Sequence, residues 1–343
     1  MKALVLERKQ QLSLCDYPII ENVGENDVRI HIKSCGICGS DIHYYLYGKI
    51  GDFVVNEPMI LGHEASGVIV EMGKNVKGFK VGDRVCMEPG VPSLRSKETL
   101  SGRYNIDPTV RFWATPPIHG CLRENVVHPA MFCFKLPEDM SFEEGAMIEP
   151  LSIGMEAAKQ ASIEPGDVAF VNGAGTIGIM TALSALAGGC ACVIIADIKQ
   201  AKLDIAGKYK NIIPVNAKKQ DIRETIADLT GGWGADRLFE CSGFDGCYPD
   251  FFTMSANGAT AVLVGIPQEP VPIDVSYLQK KGITLKTVFR YVNEYPKSLA
   301  QVASGKIDVK PLISKVFPFD KAVAAYEFAA AGHNDVVKVV IDL

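Results

Sequence analysis

Residues 168–178 read VAFVNGAGTIG, and no other run constrains the fold as much. Five apolar-rich residues suited to a buried strand meet Gly173-Ala-Gly175-Thr176-Ile177-Gly178 and then an apolar, Ala-rich stretch. A glycine-rich turn is weak evidence alone, but between a buried strand and a helix it has mechanical meaning. Gly173 permits the tight turn, Gly175 lets a pyrophosphate approach the backbone, and Gly178 lets helix and strand pack closely. The rhythm then continues as strand 192–196 (CVIIA), helix 200–209, strand 212–215, helix 220–229, strand 237–241, helix 246–256 and strand 260–265. Strands apolar throughout and separated by helices predict a parallel sheet covered on both faces, a doubly wound nucleotide-binding domain. Asp197 ends the second strand 19 residues beyond Gly178, where a carboxylate can bind both ribose hydroxyls of NAD. Lys199 and Lys202 lie nearby, yet Asp197 would repel the extra phosphate of NADP, so NAD is favoured.

Before residue 150 the pattern differs. Short β-rich runs, 28–32 (VRIHI), 67–71 (GVIVE) and 84–87, alternate with turns and predict a barrel-like or sandwich-like unit. Residues 89–120 are rich in Pro, Gly and Ser and read as a long loop with a functional role. After residue 311 a strand, a helix (321–331, Asp320 as N-cap) and a strand follow, either a sixth nucleotide-domain repeat or a return to the first domain. With 48% hydrophobic residues and a net charge of −5, the chain is neither disordered nor suited to nucleic acid. The apolar stretch 177–189 falls short of the ~20 residues of a membrane span, and MKALVLERKQ is no secretory signal. Ten scattered cysteines are too sparse for a disulfide scaffold and fit a reducing, cytoplasmic setting.

The remaining chemistry lies in CGICGSDIHYY (35–45), GHE (62–64) and IEPL (148–151). Cys35-x-x-Cys38 has no second pair to form a zinc knuckle and sits outside the βαβ half, so Cys35 reads as a small buried hydrophobe. Taken singly, His63 is a buried histidine and Glu149 a surface charge. Together, one thiolate, one imidazole and a carboxylate form the ligand set of a catalytic zinc with an open position. His63 and Glu64 can reach one metal only at a turn, because neighbours on a strand point to opposite faces. His31 is expected to be structural, and His128 and His333 solvated; His119 has no assigned role.

GICGSDIHYY, GHE, GDRVCMEPG, GRYNIDP, ATPP, IEPLSIG, NGAGTIG and FRYVNEYP occur in order along the chain. In them the sequence resembles the zinc-dependent medium-chain polyol dehydrogenases, sorbitol and xylitol dehydrogenases above all, and in texture the bacterial-type xylitol dehydrogenases. The resemblance implies Cys38, His63 and Glu64 as zinc ligands, with Glu149 beside the metal as a fourth, exchangeable or water-linked partner; Glu64 is either a direct ligand or a partner of one. It implies Ser40 and His43 as a proton relay, and Tyr44, Phe112, Arg290 and Tyr291 around the polyol. Gly173, Gly175, Thr176, Ile177, Gly178, Asp197, Lys202, Val264 and Val288 are the expected NAD contacts. The implied organisation is a catalytic domain over 1–150, an NAD domain over 151–289, a return to the catalytic domain over 290–343, and a homotetramer. The loop near 90–105 lacks the four cysteines that hold a structural zinc in many relatives, so one catalytic zinc and no structural one is expected. Two other functions compete: a zinc-free reductase of quinones or enones, and a non-catalytic NAD-binding protein. The intact ligand set argues against the first and the Ser40–His43 pair against the second.

Overall fold

The computed structural model describes residues 1–343, which divide into two compact units. One comprises Met1–Glu149, Tyr295–Ala303 and Val309–Leu343, and the other Pro150–Glu294 and Ser304–Asp308.

The first unit is built on strand Asp27–Gly36, whose alternate residues are buried, the pattern of a strand with one face on a core. It pairs antiparallel with Glu64–Met72 along one edge. Along the other it pairs first with Asn125–Pro129 and then with Lys338–Asp342. The resulting seven-stranded sheet also holds Cys133–Lys135, Arg84–Met87 and Ile313–Pro318. The C-terminal strand therefore returns to the first sheet, which decides between the two readings of the last segment. Its helix is Ala322–Ala330, preceded by a 3-10 turn at Phe319–Lys321, so Asp320 lies within that turn and Lys321, not Asp320, is the N-cap. A separate three-stranded sheet, Gln11–Asp16, Lys2–Arg8 and Met59–Ile60, packs into the same core.

The expected loop over 89–120 has structure of its own. Gly90–Val91 pairs with Arg111–Phe112, and a short helix, Lys97–Leu100, lies between them. Asp107, 2% exposed, gathers this lobe. Its carboxylate accepts hydrogen bonds from the Ser93 and Thr109 amides and from the Ser96, Thr99 and Thr109 hydroxyls. These bonds outweigh burial and hold its carboxyl well below the usual carboxylate range.

In the second unit six parallel strands run in the order Ile212–Asn216, Cys192–Asp197, Val168–Asn172, Ala235–Glu240, Ser255–Leu263 and Thr284–Thr287. This is the doubly wound sheet expected from the sequence. The helix expected over 246–256 is shorter: Tyr248–Phe251 is helical, a 3-10 turn follows, and the strand already begins at Ser255. Phe251 and Phe252 end the helix by turning into the core beneath the sheet. No helix is long and apolar enough to cross a membrane.

His128 corrects an expectation. It is not a solvated loop residue but lies on strand Asn125–Pro129, 1% exposed, with its ring centroid 4.5 Å from that of Trp113. Its Nε2 donates to the Glu88 carbonyl at 2.8 Å. Burial lowers its pKa to about 4, against the opposing pull of that bond. A folded-state pKa below the unfolded value of ~6.5 leaves its contribution intact above that value and removes it as pH falls towards 4. Complete protonation costs about 3 kcal/mol. Urea midpoints measured from pH 7 to 4.5 should therefore fall less steeply for His128→Gln than for the wild type; parallel slopes would refute the assignment.

Candidate metal and coenzyme sites

Cys38 sits at the N-cap of helix Gly39–Tyr47, with its backbone extended. Asp41, fully buried in the first turn, accepts the Cys38 amide at 3.1 Å through one oxygen and the Gly62 amide at 3.2 Å through the other. One carboxylate thus ties the cysteine loop to the turn bearing His63. Gly62 has φ +89°, and a Cβ there would lie 2.8 Å from the Leu122 side chain. That left-handed turn lets His63 and Glu64 reach the same place although they are adjacent, as the sequence required. One ligand atom from each of Cys38, His63 and Glu64 lies within 4.8 Å of the others.

The surroundings favour a metal. His63 is 6% exposed, and its buried Nδ1 has no hydrogen-bond partner, the nearest carboxylate oxygen being that of Asp41 at 3.7 Å. Burial pulls the His63 pKa down, but the Asp41 carboxylate and Cys38 outweigh it and raise it. Sulfur, imidazole and carboxylate in one cluster, with His63 and Glu64 buried and Cys38 half-buried, suit zinc, a borderline-soft ion with a preference for four ligands.

Glu64 has a partner that the sequence reading missed. Both its oxygens lie 2.7 Å from Nζ of Lys338, which is 3% exposed and also donates to the Ile37 carbonyl at 3.1 Å. The available signal was a lone lysine in the apolar run VVKVVI. Gly36 makes room for the pair, since a Cβ there would stand 2.1 Å from Glu64 Oε2.

The other expected residues are placed as follows. Phe112 is buried with its ring centroid 5.5 Å from that of His63. Trp113 packs instead on His128. Ser40 and His43 are half-buried one turn apart on helix Gly39–Tyr47, and Tyr44 on that helix is buried. His119 gains a structural role, its Nδ1 accepting the Ile60 amide at 3.2 Å. Cys35 is buried 3.6 Å from the Cys121 sulfur. Glu149 is buried, not on the surface, but lies outside the Cys38–His63–Glu64 trio.

In the second unit Gly173 has φ +100°, and Gly175 is the N-cap of helix Thr176–Gly188. A Cβ on Gly178 would stand 1.7 Å from the Gly173 carbonyl oxygen, whereas one on Gly175 would meet nothing within 4 Å. The turn therefore packs tightly on its inner side and stays open where Thr176 and Ile177 begin the helix. Asp197 accepts the Ala174 amide at 2.8 Å and the Lys199 amide at 2.9 Å, which fixes its carboxylate beside the turn with acceptor capacity left over. Burial and the neighbouring Lys199 lower the Lys202 pKa. Val264 and Val288 are held by their amides, to the Glu240 carbonyl at 2.8 Å and the Leu263 carbonyl at 2.9 Å. A cavity of about 390 Å³ lies where strands end, lined by Asn172, Ala217, Gln220, Arg223 and Cys247 among others. The carboxyl ends of parallel strands are where open α/β sheets take ligands. Arg290 has φ +59° with its guanidinium 4.9 Å from the Phe289 ring centroid, and Tyr291 is buried.

Residues 24–138 match the alcohol dehydrogenase GroES-like domain, and residues 176–304 match the zinc-binding dehydrogenase family. The chain is 55% identical over 331 residues to the D-xylulose reductase of Morganella morganii, covering 96% of this chain and 98% of that protein. The chain belongs to the zinc-binding alcohol dehydrogenases. It is 38% identical over 341 residues to the sorbitol dehydrogenase of Gallus gallus, covering 99% of this chain and 95% of the relative. Among solved structures it superposes on ECK1772, an oxidoreductase of Escherichia coli, with a TM-score of 0.94 at 32% identity, covering 99% and 98% of the two chains.

In this family member Cys38 and His63 are expected to carry the metal. Metal analysis of Cys38→Ala should show loss of bound zinc with an unchanged circular dichroism spectrum and unchanged binding of the nicotinamide coenzyme. Zinc retained at the wild-type level would refute the site.

Proposed function

We propose that the chain is an NAD-dependent, zinc-assisted polyol dehydrogenase that oxidises xylitol to D-xylulose, with sorbitol as the alternative polyol. The trio of Cys38, His63 and Glu64 carries this reading. The D-xylulose reductase similarity supports the five-carbon choice.

When bound, zinc lowers the pKa of a coordinated hydroxyl and NAD accepts a hydride. Cys38 and His63 hold the metal, while Glu64, with Glu149 as a further carboxylate, completes its charge balance. Ser40 takes the proton of the substrate hydroxyl and His43, one turn on, passes it to solvent; an imidazole is suited to this task near neutral pH. Phe112 shields His63 from water. Tyr44, with the Arg290 guanidinium and the Tyr291 phenol, accommodates the distal hydroxyls, and such buried polar partners discriminate against substrates lacking those groups. Gly173, Gly175 and Gly178 shape the pyrophosphate turn, and Asp197 accepts the ribose hydroxyls. The same reading takes the protein to be a cytoplasmic homotetramer with one zinc per chain.

NADH formation measured with xylitol, sorbitol, ribitol and L-arabinitol tests the substrate. The highest kcat/KM is expected for xylitol. A sorbitol value about tenfold above it would shift the assignment to sorbitol, and no turnover with any polyol would end it.

Coenzyme choice is a separate test. The fixed negative charge of Asp197 predicts at least about a hundredfold preference for NAD over NADP, equivalent to ~3 kcal/mol. Asp197→Ser should narrow the gap, aided by Lys199 and Lys202. Equal kcat/KM for the two coenzymes in the wild type would contradict it.

A further inference from the structure

Six non-glycine residues have left-handed backbone, and two of them, Arg290 at φ 59° and Asn293 at φ 58°, fall within residues 289–294. Such backbone in residues with a Cβ persists only where neighbouring groups determine it, and it concentrates at ligand-binding segments. The neighbours here are on helix Ile148–Ala161.

Lys159 donates to Glu156 one turn earlier at 3.0 Å, to the Glu294 carboxylate at 3.1 Å and to the Val292 carbonyl at 3.4 Å. Glu156 in turn accepts the Val292 amide at 3.4 Å and the Gln160 side-chain amide at 2.7 Å. Both polar groups of Val292 thus bond to the helix. The ammonium is half-exposed, whereas the side chains of Glu156 and Glu294 are 6% and 1% exposed. An exposed ion pair contributes little, but two buried carboxylates converging on one ammonium depend on it. Burial opposes the charge on Lys159, and the two carboxylates outweigh it and raise its pKa. The grip falls on Val292 and Glu294, on either side of Asn293 and immediately after Arg290 and Tyr291.

We infer that Lys159, with Glu156, is a positioning residue that holds 289–294 in the conformation with left-handed backbone at Arg290 and Asn293 and thereby sets the affinity for the polyol. This rests on the proposed role of Arg290 and Tyr291. Lys159 does not touch the substrate; it acts through the segment that does.

The test uses the full-length zinc-loaded enzyme and reads two quantities. In Lys159→Met, KM for xylitol should rise about tenfold while KM for NAD and kcat change less than about threefold, the mark of lost ground-state binding. Lys159→Arg should restore most of it. Hydrogen exchange of the peptide spanning 289–294 should speed up about tenfold in Lys159→Met, with the sheet strands unchanged. Glu156→Gln, which keeps the side-chain shape and removes one charge, should shift both readouts in the same direction. Unchanged exchange at 289–294 in both variants would overturn the clamp whatever the substrate. Faster exchange with an unchanged xylitol KM, or equal losses for xylitol and NAD, would overturn its role in polyol binding. A wild type inactive on every polyol, with exchange responding as expected, would instead locate the fault in the functional reading and overturn the polyol half of this inference with it.

Discussion

Glu64 is fully buried, and a carboxylate removed from water needs a cation or hydrogen-bond donors. Lys338 supplies it through both oxygens, and that pairing explains much of the first unit. Removing one partner of such a pair typically costs about 3–5 kcal/mol, because the other is left charged and buried. The lysine lies 274 residues away in sequence, on the last strand. That strand must therefore dock beside Asp27–Gly36, which it does through residues 34–36. Gly36, in the same register, leaves the space that the carboxylate occupies.

A second constraint is the use of backbone where side chains alone could not set the geometry. Asp41 accepts amides from both the Cys38 cap and the Gly62 turn, so two sequence-distant loops share one carboxylate. In the second unit Asp197 does the same for Ala174 and Lys199, and Glu240 for Ser242 and Gly243. In each case an acidic side chain at a strand or helix end satisfies amides that would otherwise lack partners. The amides fix the carboxylate as firmly as the carboxylate fixes the loop.

This explains what could be read from the sequence. The parallel sheet was legible because its strands are apolar throughout and the glycine turn stands between strand and helix. The trio was legible because Cys38, His63 and Glu64 lie in short motifs. Lys338 was not, since nothing local says which acid a lysine in an apolar strand will meet. His128 was misread because a proline after it resembles a loop signal, while its burial depends on Trp113 and the Glu88 carbonyl, remote in sequence. The lobe over 89–120 was read as structureless because its order comes from one carboxylate, Asp107, gathering five donors rather than from periodicity. The sequence showed that the lobe lacks cysteines but not what would organise it instead.

The three donors of the trio are not equivalent. Both oxygens of Glu64 face the Lys338 ammonium at 2.7 Å, whereas Cys38 feels the same charge only at longer range. A cation approaching Glu64 must share an oxygen with Lys338 and meet its positive charge at short range, which weakens this ligand relative to the other two. Under the proposed zinc site, Cys38 and His63 would be the anchors and Glu64 the ligand most easily exchanged. Catalytic zinc sites require one position that opens without releasing the ion. In that proposed site the buried lysine, placed by the last strand of the chain, would bias Glu64 towards that position.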